Sequence, residues 1–196
     1  GFRDTYDYLE AFIQEMGLKN ITLVIHDWGS GLGFHYAHQH PQNIKGIVFM
    51  EAVFKVVDMS AMPARIQRAF SLMRNPFFNW LMLGVGNFFL KKMIPNAIVR
   101  KISKEEHDYY KSPYPTIKSL KPVRVWPTEI AIDGSPKHTH DIISAYHEWL
   151  KESEIPKLCL YAEPGMLIPE QEIPWIVENF PNTDAVKIGK GLHFIQ

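Results

Sequence analysis

The 196-residue chain has one cysteine, no excess charge of either sign and no apolar run long enough to cross a membrane, and each absence removes a class of protein. Cys159 alone excludes disulfides within the chain and argues against thiol redox chemistry. Within Lys157-Leu158-Cys159-Leu160-Tyr161 it reads as a buried strand thiol. Lys plus Arg equals Asp plus Glu at 21 each and no basic stripe stands out, so neither a nucleic-acid nor an anionic-membrane partner is expected. The greasiest stretch, Trp80 to Leu90, is interrupted by Gly84, Gly86 and Asn87 and falls far short of the roughly 20 apolar residues a spanning helix needs. With no membrane segment and no signal peptide visible, a cytoplasmic protein is the expectation. There is no P-loop, and Gly29, Gly31 and Gly33 are spaced wrongly for a dinucleotide fingerprint, so no cofactor is expected. His35, His38 and His40, and His138 and His140, come without a Cys or carboxylate at ligand spacing, and no metal is expected there. Internal repeats and low-complexity tracts are also lacking.

What is present is a 46% apolar composition, enough for a real core in one domain with an inserted subdomain. Tyr6, Leu9, Ile13 and Met16 form a 3.6-residue apolar stripe that predicts a first helix, with Gly17 as its C-cap. Four segments read as strands: Asn20 to Ile25, the first of them as a buried one, then Asn43 to Met50, Lys157 to Tyr161 and Asp184 to Ile188. Helices at Gly29 to Ala37, Ala145 to Lys151 and Ile176 to Phe180 alternate with them, Pro174 falling near the first turn of the last. Alternation of this kind predicts an α/β fold with a parallel sheet and right-handed crossovers.

From about Lys55 to Pro136 the alternation stops and helical patterns recur, at Ala64 to Met73, Phe77 to Met93 and Glu105 to Lys111, the last opened by the capping box Ser103-Lys104-Glu105-Glu106. The expected organisation is core at 1–54, a helical cap at 55–136 and core again at 137–196. Phe77, Phe78, Trp80, Leu83, Phe88 and Phe89 are expected mostly to form the cap's own core, a few facing a pocket.

The candidate chemistry centres on Asp27. Ile25-His26-Asp27-Trp28-Gly29 joins a strand to a helix by a sharp turn, the context that makes a G-x-S-x-G nucleophile elbow meaningful. Here a carboxylate stands in the serine's place and Ile25 replaces the first glycine. The plainer alternative is an aspartate that caps the helix. Glu51 follows Ile47-Val48-Phe49-Met50 at another strand end, where ligands of open α/β sheets collect, and must reach solvent or find a partner. His193 lies just past the last strand, in Gly189-Lys190-Gly191-Leu192-His193-Phe194, where the glycines suggest a turn. Alone it could be one incidental histidine among nine. The chain order nucleophile, acid, histidine is that of the triad in this fold.

On Leu23-Val24-Ile25-His26-Asp27-Trp28-Gly29-Ser30, Phe49-Met50-Glu51 and Gly191-Leu192-His193-Phe194, the chain resembles the haloalkane dehalogenases of the α/β-hydrolase superfamily, in the subgroup whose acid is a glutamate. Pro164 to Pro169, Asn182 to Ile188 and Trp126-Pro127-Thr128-Glu129 are similar to that family too. The resemblance implies an α/β-hydrolase fold with a helical cap and a catalytic set of Asp27, Glu51 and His193. It also implies a halide-binding indole at Trp28 and a substrate pocket lined by Phe89, Trp126, Pro127, Met166, Leu167 and Phe194. The implied partners are a small halogenated hydrocarbon, a halide ion and water.

In that family a second halide donor, several strands and an oxyanion-hole contributor lie upstream of the matching segments, and a terminal helix lies after His193. The chain opens at Gly1-Phe2-Arg3-Asp4 without a methionine, so truncation at both ends is expected, with poor folding of the piece alone. An epoxide hydrolase using two of Tyr109, Tyr110, Tyr114 and Tyr146 stays open. So do a Renilla-type luciferase, similar in all three segments, and a catalytically silent fragment that acts by association.

Overall fold

The computed structural model describes residues 1–195, residue 61 by its backbone alone; Gln196, the last residue of the expected second core segment, lies outside the described residues. Helix α1 (Phe2–Glu15) turns Phe2, Tyr6 and Ile13 inward at helical spacing. Its end is a Schellman turn: Leu18 N–H donates to Ile13 O, Gly17 N–H donates to Gln14 O, and Gly17 takes the left-handed φ of +61° that a side chain would resist. Met16, expected on the buried stripe, is 60% exposed because the helix is already ending there.

Strand β1 (Ile21–His26), helix α2 (Asp27–Gln39) and strand β2 (Ile44–Ala52) follow. The four strands lie in chain order and pair in parallel, β2 being followed in the sheet by β3 (Lys157–Pro164) and β4 (Thr183–Gly191). In β1, expected to be buried, Ile25 alone is fully covered and Val24 is 67% exposed, since β1 is an outer strand of the described sheet. The core is packed between β2, β3 and the helices on them. Phe34 meets Phe49 and Tyr146, and Ile47, Cys159, Ile143, Leu150 and Phe180 complete an interior that excludes water. Cys159 is a buried strand thiol, as its neighbours suggest.

Between β2 and helix α8 (Lys137–Glu152) the regular elements among the described residues are helices, joined by loops that carry isolated bridges from Val57 to Ile132 and from Ile132 to Ser135. Helix α3 (Ala64–Arg74) leads to α4 (Pro76–Asn79), and α5 (Ile94–Asn96) to α6 (Lys104–Lys111), where Ser103 Oγ accepts from Glu106 N and Glu106 Oε2 accepts from Ser103 N. Helix α7 (Lys121–Glu129) escapes a reading that treats proline as a break. Pro122 sits in its first turn, where no amide hydrogen bond is required, although Pro127 is internal.

The long helix expected at Phe77 to Met93 is instead two π-helical pieces, Trp80–Val85 and Phe89–Met93, separated where Asn87 adopts a φ of +49°. That break removes the 3.6-residue spacing. Leu83 and Leu90 go inside, while Phe77, Phe78, Trp80 and Phe88 are left substantially exposed rather than forming the expected aromatic core. Helix α9 (Ile173–Asn179), with Pro174 in its first turn, packs beside β4.

Candidate active site

Register brings the two carboxylates together. His26 ends β1 opposite Met50 of β2, and the next bridge sets Asp27 opposite Ala52, so Asp27 lies beside the stretch of β2 that carries Glu51. Both leave ordinary backbone space, with φ of +46° and +42°, a left-handed conformation that costs a side-chain-bearing residue about 1–2 kcal/mol. Asp27 is the first residue of α2 rather than its N-cap, which is His26. Ser30 fixes the turn: its Oγ donates to Asp27 O at 2.5 Å and accepts from Val53 N at 2.7 Å, tying the start of α2 to the segment after β2. Sequence reading overlooked Ser30; a polar residue one turn into a buried helix was the available signal.

Glu51 is 1% exposed and has the partners its burial demands. Oε2 accepts from Leu167 N at 2.7 Å and Met166 N at 3.1 Å, and Oε1 from Met166 N at 3.1 Å and Ile168 N at 3.3 Å. Burial raises the carboxyl pKa, but His193 and these three backbone N–H groups outweigh it and hold the group below its ordinary value. Cys159, on the neighbouring strand, is pushed the other way. Burial, then the Glu51 charge, lift its thiol to about 12, which leaves it inert.

His193 reaches the same edge by a different route from the expected glycine turn. β4 continues to Gly191 with a bulge against β3, Tyr161 pairing with Lys187 and Glu163 with Lys190, and Gly189 absorbs the extra residue at φ +114°. The chain then leaves the sheet. His193 Nε2 lies 3.4 Å from Asp27 Oδ1, and Nδ1 lies 3.3 Å from Glu51 Oε2. Burial lowers the imidazole's pKa, but Asp27 and then Glu51 overcome this and push it up to about 9. The three groups therefore form a line of carboxylate, imidazolium and carboxylate, with Asp27 its more exposed end.

Trp28 follows Asp27 in α2 and packs against Trp126 of α7 with ring centroids 4.9 Å apart and planes tilted by 40°, Phe2 lying edge-on to Trp28 at 6.1 Å. Pro127 is buried within α7. Phe89 and Phe194 pack together with the buried Leu90, Ile94, Leu120 and Val123. Met166 and Leu167 contribute backbone amides to Glu51 while their side chains are exposed. The tyrosines weighed for an oxirane are elsewhere: Tyr146 is buried and donates to Val53 O, Tyr109 and Tyr110 face solvent, and Tyr114 packs on the Leu90 cluster. His138 and His40 each meet one carboxylate, Glu129 at 2.7 Å and Glu10 at 2.6 Å. Among the described residues no cluster of three metal-binding side chains occurs, and no helix is long and apolar enough to cross a membrane.

Sheet, elbow and histidine define the class, and a family profile described as alpha/beta hydrolase fold matches residues 1–196. The chain is 32% identical over its whole length to a haloalkane dehalogenase of Mycolicibacterium smegmatis, and 34% identical over 97% of its length to one of Sphingobium indicum. It spans 63% and 64% of those two curated relatives. The crystal structure of the haloalkane dehalogenase DbeA from Bradyrhizobium elkani superposes with a TM-score of 0.94 at 31% identity, covering 99% of this chain and 67% of that one. The chain belongs to the haloalkane dehalogenase family of the α/β-hydrolases.

Proposed function

We propose that this chain carries the catalytic residues of a haloalkane dehalogenase, converting a haloalkane and water to an alcohol, a halide ion and a proton. The observation that carries the reading is His193 between two carboxylates, one caged by backbone amides and the other half-exposed at a strand–helix turn. Asp27 is the nucleophile. Its Oδ attacks the carbon bearing the halogen, the C–O bond forming as the carbon–halogen bond breaks, and the halide departs with the bonding pair. The indole N–H of Trp28 donates to the departing halide.

The resulting ester removes the negative charge at Nε2 of His193. The imidazole pKa, held at about 9 by both carboxylates, then falls, and the ring releases its proton and becomes a base. It takes a proton from water as the oxygen adds to the Asp27 carboxyl carbon, and returns it to the departing alkoxide. Glu51 orients the ring through Nδ1 and stabilises its cationic form. Residues 55–136 act as a cap over this edge, with Phe89, Trp126, Pro127, Met166, Leu167 and Phe194 as substrate contacts. The cycle requires no metal and no cofactor.

Bromide release from 1,2-dibromoethane tests the reading, with Asp27→Ala as control. Release that vanishes in Asp27→Ala, with an alkyl ester trapped on His193→Phe and seen by intact mass, is expected. A fully active Asp27→Ala protein, or no release from folded wild type, overturns it.

A further inference from the structure

We infer that His26 is a positioning residue for His193, holding the catalytic imidazole over the sheet edge so that ester hydrolysis, rather than alkylation, depends on it. The inference rests on the dehalogenase reading above. His193 lies beyond the end of β4, where no ladder hydrogen bond can fix its peptide. Two other groups do so. Its N–H donates to Ala97 O at 3.1 Å, and its carbonyl lies 2.9 Å from Nε2 of His26. A carbonyl only accepts, so His26 carries its proton on Nε2.

The same two residues also meet through their rings, with centroids 4.7 Å apart at 39°, and Phe194 packs on both. His26 ends β1 and His193 follows β4, so the contact spans the described sheet from one outer strand to the other, beside the tip of β2 that carries Glu51. Nδ1 and Nε2 of His193 are both engaged with carboxylates at 3.3–3.4 Å, long enough that a small rotation of the peptide would lose them. The His26 donor is what resists that rotation from the β1 side.

Alkylation needs Asp27 and Trp28, neither of which His26 hydrogen-bonds through its side chain, whereas hydrolysis needs His193 in place. Removing the donor therefore separates the two steps. The test is rapid-mixing single turnover of the full-length protein with 1,2-dibromoethane, reading bromide for the first step and intact mass of the ester for the second. His26→Phe keeps a ring without the donor, His26→Met fills the space without a ring, and His26→Gln returns an N–H at similar reach.

The expected result is bromide release within about three-fold of wild type in all three. Ester decay should slow about ten-fold or more in the Phe and Met variants and recover to within about three-fold in Gln. Wild-type ester decay in whichever donor-less variant folds overturns the inference, as does equal slowing of both steps in His26→Gln. If wild type itself forms neither bromide nor ester, the dehalogenase reading falls first and this inference with it.

Discussion

Glu51→Gln changes one atom and should cost more than its size suggests. Both oxygens of Glu51 face donors: Oε1 meets the amides of Met166 and Ile168, and Oε2 those of Met166 and Leu167 together with Nδ1 of His193. Whichever way the glutamine amide turns, its NH2 meets N–H groups in a site that is 1% exposed. One or two buried donors lose their acceptor, at about 1–3 kcal/mol each, so the expected loss is about 1–6 kcal/mol. For a chain of this size that lowers the unfolding midpoint by about 2–24 °C.

The pH dependence has a definite sign. The carboxyl pKa is lowered on folding, so its contribution is present above the ordinary value of 4.5 and is lost as pH falls through the lower folded value. The gap between wild type and variant should be widest near neutrality and close in acid. The imidazole behaves oppositely. Raised from 6.5 to about 9, it stabilises fully below 6.5 and stops doing so as pH rises through 9, and in the variant that titration should move down. Thermal unfolding from pH 3 to 10, with NMR titration of the imidazole, reads both. A midpoint within about 2 °C of wild type at pH 7, or a gap that widens in acid, would refute the reasoning.

Lys157 is 4% exposed and donates through Nζ to the carbonyls of Ser153, Ile155 and Pro181 at 2.6–2.9 Å, so Lys157→Met should destabilise by about 2–4 kcal/mol in denaturant titration. The proposed ester should form to the same extent per folded molecule. Gly17→Ala meets no atom within 4 Å, so its whole effect is the left-handed backbone, about 1 kcal/mol and a midpoint lower by about 2–4 °C. Trp28→Phe keeps an aromatic beside Trp126 but deletes the indole N–H, and halide binding by fluorescence titration should weaken while the fold, read by circular dichroism, is retained.

The strands and the helices flanking them could be read because apolar runs and helical stripes report burial directly, as at Ile47 to Phe49 and at Tyr6 and Ile13. The approach of Asp27, Glu51 and His193 was foreshadowed by each lying at the end of a strand pattern, where a parallel sheet gathers its side chains. The stretch from 55 to 136 was less legible. Prolines that look like breaks are accommodated within α7, and the π-helical turns after Trp80 follow no simple period. What positions the site was hardest to foresee. Ser30 acts through one short contact with backbone, Met166 and Leu167 act through amides common to every residue but proline, and His26 acts across the sheet.

The positive φ of Asp27 sets stability against the proposed chemistry at a single residue. Glycine would occupy that turn without steric penalty and asparagine with less of one, and either would spare the elbow a negative charge that has no backbone amide cage like the one around Glu51. A library of this chain screened by heat alone should therefore enrich glycine or asparagine at position 27. The most thermally robust survivors would be those that lack the proposed nucleophile, which makes residue 27 the position to hold fixed in any directed evolution of this scaffold.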